Sequence, residues 1–412
     1  MNKRRVVVTG IGTINPIGKN VNETWKNLIA GKNGIGLITR FDTTQFTSKI
    51  AGEIKDYDPL QHFKTKELKK IDLYAQYALI AATEAIEDSG LDKYNFDPFS
   101  FGSIIGSGIG GMLTFEEETF KFFKKGARRI SPFFIPKMIS NIGAAQISIK
   151  YGLRGPNYNI SSACASANHA IGTSFRFIQA GDADIMITGG AEASVTQMSL
   201  GGFCSMKALS TRNDDPGKAC RPFDKERDGF IMAEGAGILV LEELEHARKR
   251  GAKIYAELVG FGATGDAYHI TAPDSEGISG VYAIEKAMKE AGVKKDEVDY
   301  FNAHGTSTPL NDKIETTILK KVFGEHAKNI SVNSTKSMIG HSLGAAAGIE
   351  AIACVKTITD SIVHPTINYE NPDPECDLDY TPNKAVKRDV KIALSNSLGF
   401  GGHNGVLIFK KY

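Results

Sequence analysis

Two distant stretches of the chain share one pattern. Val8-Thr9-Gly10-Ile11-Gly12-Thr13 is matched by Leu258-Val259-Gly260-Phe261-Gly262-Ala263, and each reads as a strand that ends in Gly-x-Gly. The matches continue in order. A helix ending at Ser89-Gly90-Leu91 has a counterpart ending at Ala291-Gly292-Val293. Asn159–Cys164 leads from a strand into a small-residue helix, and Ile330–Lys336 does the same. Phe230–Glu242 and Ile392–Phe409 read as Gly-interrupted strand pairs near the end of each half. One Gly-x-Gly after a strand is common in any α/β protein. Several matched features in one order point instead to internal duplication of an α/β unit. The halves are expected at 1–253 and 254–412. No linker, low-complexity segment or long charge run separates them, so they should pack as one body around a shared central layer.

Further elements fit the same class. Arg5–Thr9 is a β-branched run closed by Gly10-Ile11-Gly12. Gly102–Ile105 and Ile185–Thr188 read as short buried strands, the first before a Gly-rich loop at Gly106–Gly111, the second before Gly189-Gly190. Leu73–Asp88 has apolar residues at helical spacing. With 412 residues, 42% of them hydrophobic, there is ample material for a large core. A net charge of +2 gives no general reason to expect nucleic acid as partner. The start, Met1-Asn2-Lys3-Arg4-Arg5, runs into Val and then Gly and Thr, without the apolar region of a signal peptide. No stretch approaches the roughly 18 apolar residues of a membrane span. A soluble, cytoplasmic protein without membrane contact is expected. The five cysteines are odd in number and lack Cys-x-x-Cys spacing, so each is read as a free thiol.

Cys164 is the reactive candidate. Ile160-Ser161-Ser162-Ala163-Cys164-Ala165-Ser166-Ala167 carries a strand through a tight turn of small residues into a helix reaching about Gln179. The helix N-terminus should lower the thiol pKa. On this segment alone a buried structural cysteine is an equal reading. Cys354 falls in an apolar helix; Cys204, Cys220 and Cys376 fall in loops. His304, in Asn302-Ala303-His304-Gly305-Thr306-Ser307-Thr308-Pro309, follows a strand-like Val298–Phe301 and stands where α/β sheets gather ligands. A lone histidine is more often structural. His341 stands before a small-residue helix, Ser342–Thr357, that also holds Glu350. A carboxylate in so apolar a helix is costly unless paired with a cation, Lys336 or a bound metal ion; the plainer reading, a charged pair on a solvated face, is disfavoured by the small apolar neighbours. Leu398-Gly399-Phe400-Gly401-Gly402-His403-Asn404 lacks the helix and Lys-Ser/Thr of a phosphate cradle, and reads as a mobile loop in which Phe400 can swing as a gate.

Together the Cys164 elbow, His304-Gly305-Thr306-Ser307-Thr308-Pro309, Lys336 with Gly340-His341, and Gly399-Phe400-Gly401-Gly402 resemble the elongating β-ketoacyl-acyl-carrier-protein synthases, closest to type II. The resemblance runs nearly from end to end. It implies a thiolase-type α/β fold, internally duplicated, layered α-β-α-β-α. It implies that Cys164 accepts an acyl chain from acyl carrier protein. His304 and His341 would promote decarboxylation of a malonyl thioester, and Lys336 would order the site with Glu350. The backbone amides of Cys164 and Phe400 would form an oxyanion hole. Thr306 and Thr308 match the pantetheine tunnel; Ile109, Phe203 and, from a partner subunit, Phe134 match the acyl pocket. No cofactor is implied beyond a structural Na+ or K+ held by Asn302, Glu315, Glu350, Ser395 and Asn404. A homodimer is implied. The basic clusters Lys64, Lys66, Lys69, Lys70 and Lys124, Lys125, Arg128, Arg129, with Lys207, are candidates for docking an acidic carrier protein; a solvated charge run is at least as good a reading of either cluster alone.

Three neighbouring readings differ in particular residues. Initiating synthases are expected to carry Asn in place of the second histidine, and thiolases a second cysteine; here His341 is present. Non-catalytic partner subunits of polyketide systems lack the nucleophile, and Cys164 is intact. A polyketide ketosynthase subunit shares the same motifs and stays an alternative to fatty acid elongation.

Overall fold

The computed structural model describes residues 3–412, so the first two residues of the N-terminal half lie outside it. Ten strands form the main sheet: β1 (Val6–Ile14), β2 (Phe101–Gly106), β3 (Asn157–Ile160), β4 (Ile185–Glu192), β5 (Gly235–Glu243), β6 (Ala256–Gly265), β7 (Tyr300–Asn302), β8 (Ser331–Asn333), β9 (Ile392–Gly399) and β10 (His403–Lys410). Their spatial order is β8-β7-β9-β10-β6-β1-β5-β4-β2-β3. The sheet divides between β6 and β1, which pair antiparallel over only Val6–Val8 and Ala256–Leu258. Outward from that seam the two halves repeat one order: β1-β5-β4-β2-β3 and β6-β10-β9-β7-β8. The duplication is therefore present in the topology.

Helices complete five layers. We number those used below α1 (Leu73–Ser89), α2 (Met112–Lys125), α3 (Phe134–Met138), α4 (Ile142–Tyr151), α5 (Ser166–Ala180), α6 (Gln197–Ser205), α7 (Ile278–Ala291), α8 (Pro309–Phe323), α9 (Lys336–Ile339) and α10 (Ala346–Asp360). α5 and α10 lie between the two half-sheets and share one core with both, including Ile171, Phe175, Leu241, Val355 and Leu407. α1 and α4 cover the outer face of the first half, and α7 and α8 that of the second. Residues 253–254 fall in the loop before β6. No helix among the described residues is long and apolar enough to cross a membrane.

Three strand readings need correction, and close packing explains two of them. β1 and β6 do not end at Gly-x-Gly but run through it. A Cβ on Gly10 or Gly12 would lie 2.1 Å from the carbonyl oxygen of Ala85 or Ala81 on α1. On Gly260 or Gly262 it would lie 2.4 or 1.9 Å from that of Ala287 or Ala283 on α7. Two glycines on one strand face thus meet carbonyls one helical turn apart, identically in both halves. β4 likewise continues through Gly189-Gly190 to Glu192, because Gly237 and Gly344 press against those positions. Phe230–Glu242 is not a strand pair: only Gly235–Glu243 is strand, paired with β4. Residues 231–233 pair instead with the loop at His341. Cys204 stands in α6 rather than a loop.

The packing yields a sharp contrast. Gly262→Ala should lower the unfolding free energy by about 3 kcal/mol, since the added methyl meets backbone that cannot move aside cheaply. Gly202→Ala, on the exposed side of α6 with open space around it, should raise it by up to about 1 kcal/mol. Urea denaturation of both variants checks the pair.

Candidate active site

The candidate nucleophile stands on a strained turn. β3 ends at Ile160, and Ser161–Ala165 swing the chain into α5. Ala163 takes a positive φ of 50°, which a small side chain tolerates at modest cost. Ser166 pins the turn: its Oγ donates to Ala163 O at 2.6 Å and accepts from the Ser162 amide at 2.9 Å. Cys164 is buried at the tip.

Both candidate histidines come from the second half. His304 follows β7; its amide and that of Gly305 donate to Glu315 at 2.7 and 2.8 Å. His341 follows α9 and Gly340. Its amide donates to Ile231 O at 2.7 Å, and its carbonyl accepts from the Ala233 amide at 2.9 Å. The two rings are nearly perpendicular, 5.3 Å apart. His341 Nε2 lies 3.0 Å from Cys164 Sγ. One ring nitrogen of each histidine and the sulfur all lie within 4.8 Å of one another.

Lys336 is fully buried, ion-paired with Glu350 and 3.3 Å from His304 Nδ1. An ammonium only donates, so His304 Nδ1 accepts and the ring proton stays on Nε2. Burial, with the Lys336 charge adding to it, holds both imidazoles well below their ordinary pKa, so both rings are neutral. Burial also pushes the Glu350 carboxyl up, against the pull of Lys336. The expected lowering of the Cys164 thiol is corrected: burial pushes it up to about 11, although Lys336 and the Phe400 amide pull the other way. Desolvation of the thiolate outweighs the helix terminus here.

A cavity of about 550 Å³ opens onto these groups. Its walls include Ile109, Phe203, Thr306, Thr308, Leu343 and Phe400. The Thr306 and Thr308 hydroxyls bond each other at 3.0 Å. Gly401 and Gly402, in the turn between β9 and β10, have positive φ, 83° and 73°, a conformation that favours glycine. Phe134 begins α3 and is not among the residues lining its own chain's cavity.

The candidate cation ligands are brought together in part. Asn302 and Ser395 are register neighbours on β7 and β9. Asn302 Oδ1, Ser395 Oγ and Glu350 Oε2 are buried oxygens without a hydrogen-bond partner, a donor set that fits a hard monovalent cation. Glu315 stands close by through Asn396, whose Nδ2 donates to it at 2.6 Å. Asn404 is a correction. It lies at the end of the β9–β10 hairpin, where its amide donates to Asp266 at 2.7 Å and to Thr264 at 3.2 Å. Asn396, with Oδ1 buried and unpartnered, takes its place. Three consecutive polar residues, Ser395-Asn396-Ser397, in an otherwise apolar strand were the signal for it. A second residue the sequence reading passed over is Glu192, buried at the end of β4.

The chain matches the family model described as "Beta-ketoacyl synthase, N-terminal domain" over residues 3–247 and its C-terminal counterpart over 255–370. It is 53% identical over 409 residues to 3-oxoacyl-[acyl-carrier-protein] synthase 2 of Staphylococcus aureus (strain N315), with 99% of both chains aligned. It is 52% identical over 412 residues to the protein of that name from Synechocystis sp., covering 100% of this chain and 99% of the relative. Among solved structures it resembles a type II polyketide ketosynthase in complex with its acyl-carrier protein (38% identity, TM-score 0.94, 100% of both chains). A β-ketoacyl synthase from Burkholderia phymatum is similar at 31% identity and TM-score 0.93, over 99% of this chain and 100% of that one.

The neutral histidines set a pH dependence. An unfolded imidazole titrates near 6.5, while the folded one resists protonation. Each histidine therefore contributes stability above that pH which is lost as the pH falls. Relative to His341→Asn, the wild type should lose up to about 1.4 kcal/mol per pH unit below pH 6.5. Urea unfolding of both proteins across that range measures the difference.

Proposed function

The chain belongs to the β-ketoacyl synthase family, and from that premise we propose that it elongates acyl chains in fatty acid synthesis by condensing malonyl-acyl carrier protein with an acyl thioester on Cys164. The observation that carries this reading is a buried thiol and two neutral imidazoles within 4.8 Å, facing one cavity. The Cys164 thiol attacks the incoming acyl thioester, His341 Nε2 receives its proton, and the carrier thiolate leaves. His304 and His341 then offer N–H donors to the malonyl thioester carbonyl. The bond to the carboxylate breaks, CO2 departs, and the electron pair becomes an enolate held by those donors. The enolate carbon attacks the Cys164 acyl carbon, the C–S bond breaks, and the sulfur leaves as a thiolate that takes its proton back from His341 Nε2. Amides of Cys164 and Phe400 hold the intermediate oxyanion. Lys336 keeps His304 in its donor tautomer. Asn302, Glu315, Glu350, Ser395 and Asn396 would hold a structural Na+ or K+, whose charge would balance the buried carboxylates.

Phe400 acts as a gate. Its ring lies 6.5 Å from that of Phe203 on the cavity wall, and its loop can rearrange at two glycines. A polyketide role is the second reading, supported by the polyketide ketosynthase at 38% identity. The 53% relatives favour 3-oxoacyl-acyl-carrier-protein synthesis.

Single-turnover kinetics separates the steps. Cys164→Ala should abolish condensation while the histidines still decarboxylate malonyl thioester. Gly401→Ala, at a positive φ, should slow condensation about fivefold or more and leave acylation of Cys164 nearly unchanged. Condensation by the cysteine variant would end the assignment, and a wild-type rate in the glycine variant would remove the gate.

We place the enzyme in the cytoplasm as a homodimer that docks acidic carrier protein on a basic face. β3 is one outer edge of the sheet, and the exposed Ile135, Ile139 and Ile149 lie in the helical segments leading to it and the turn between them. Such an edge invites pairing with a second copy. For docking, Lys121, Lys125, Arg128 and Arg129 line a pocket of about 240 Å³. Lys70 lies over the ring of Phe133, which follows Arg129 closely in the chain, and Lys207 lines the main cavity. Sedimentation velocity reads both points. The protein alone should sediment as a dimer, and carrier protein should bind with at least about tenfold weaker affinity to Lys69→Glu/Arg128→Glu. A monomer, or unchanged binding, would reject the corresponding half of the proposal.

A further inference from the structure

Glu192 ends β4 as a fully buried carboxylate and forms no ion pair with a cation among the described residues. Its oxygens are occupied by donors from two separate loops. Oε1 accepts from Ser107 Oγ at 3.0 Å and from the Ile109 and Gly110 amides at 3.2 and 3.3 Å. Oε2 accepts from the Gly108 amide at 2.7 Å and the Gly344 amide at 3.1 Å. The first loop follows β2 in the N-terminal half and carries Ile109. The second follows His341 in the C-terminal half and includes Leu343. Gly108, Ile109 and Leu343 all line the cavity at Cys164.

The loops meet so closely that the carboxylate fits only glycines. A Cβ on Gly108 would lie 3.0 Å from Oε2, and one on Gly344 would lie 2.7 Å from it and 2.3 Å from the Gly108 amide. Burial pushes the carboxyl up to about 6, against the pull of those N–H donors. An anion buried without a cation is costly, and a neutral acceptor would avoid that cost. No neutral side chain offers two oxygens that only accept. Gln in its place would turn an NH2 toward amides on one side or the other.

We propose that Glu192 is a positioning residue that holds the cavity wall at Ile109 in register with Leu343 beside His341, and so sets which acyl chains Cys164 accepts. The inference rests on the reading of Cys164 as the acyl acceptor. An acyl chain bound to Cys164 must pass between walls that Glu192 ties together from both halves. Loosening that tie lets the gap widen and removes discrimination by chain length before it removes the chemistry.

The test is the rate of Cys164 acylation by acyl thioesters of graded length, followed by intact mass, for wild type, Glu192→Gln and Ser107→Ala. Thermal unfolding is measured beside it. In Glu192→Gln the ratio of rates between the best and the poorest chain should shrink about tenfold, equivalent to about 1.4 kcal/mol. Ser107→Ala removes one donor on the acyl side only and should shrink it in the same direction by less. If Glu192→Gln fails to fold, Ser107→Ala carries the test. An unchanged ratio in the folded variants overturns the proposal, as does a parallel loss at all lengths that tracks the unfolding temperature. If wild-type Cys164 takes no acyl group at all, the acyl-acceptor reading fails instead.

Discussion

The site depends on one buried ion pair. Lys336 and Glu350 are both inaccessible to water, and isolating either would cost several kcal/mol. Held together, they place a positive charge that does three things. It fixes the tautomer of His304 by occupying Nδ1. It helps keep both imidazoles neutral. It pulls the Cys164 thiol back toward ionisation against burial. A neutral residue at Lys336 would fill the same space and leave all three undone. The apolar helix around Glu350, with Ile349, Ala351 and Ile352, is what keeps water from weakening the pair.

The duplicated topology explains why these groups converge. The elbow carrying Cys164 follows β3, and Lys336 follows its counterpart β8. Ser107 to Gly110 follow β2, and His304 follows its counterpart β7. Glu192 ends β4, and the loop carrying Phe400 follows the equivalent β9. Each pair of equivalent strand ends supplies one group from each half. The ends of parallel strands are where open α/β sheets leave room for ligands. With α5 and α10 packed between the half-sheets, the two sets of loops face one cavity. One ancestral geometry thus serves as nucleophile turn in the first half and as charge anchor in the second.

Sequence pattern exposed this arrangement unevenly. The repeat was legible because glycines are demanded wherever a helix backbone touches a strand. The same demand hid the strand ends: Gly10 and Gly12 look like a stop and are a contact. The candidate residues Cys164, His304, His341 and Lys336 stood out because polar groups among small apolar neighbours need a reason. Glu192 and Asn396 gave that signal too, but only the fold shows which loops their oxygens meet. Residues 231–233 could not be told from a strand, since they are extended and paired, though with the His341 loop instead of a hairpin partner. The thiol pKa was misread because a helix terminus is visible in sequence and the depth of burial is not.

Glu350, Glu315 and Glu192 are buried carboxylates, and each holds a segment that carries or adjoins a site residue. Glu350 holds Lys336, Glu315 holds the amides of His304 and Gly305, and Glu192 holds those of Gly108 to Gly110 and Gly344. A carboxylate suits this use because two acceptor oxygens can gather donors from separate chain segments, and the bonds are stronger for the charge. The cost is shifted ionisation: burial raises Glu315 to about 7 and Glu192 to about 6, from an ordinary 4.5. With folded pKa values above the unfolded ones, these two groups bind protons more readily in the folded chain. Their titration favours the fold at low pH and weighs against it as the pH rises through 6 and 7. The buried histidines run the other way, since their neutral forms are favoured by folding and their contribution fades as the pH drops below 6.5. The opposed slopes overlap in the same range and partly cancel. A site built from buried acids and buried imidazoles together therefore keeps its stability flatter on the acid side of pH 6.5 than either set would allow alone.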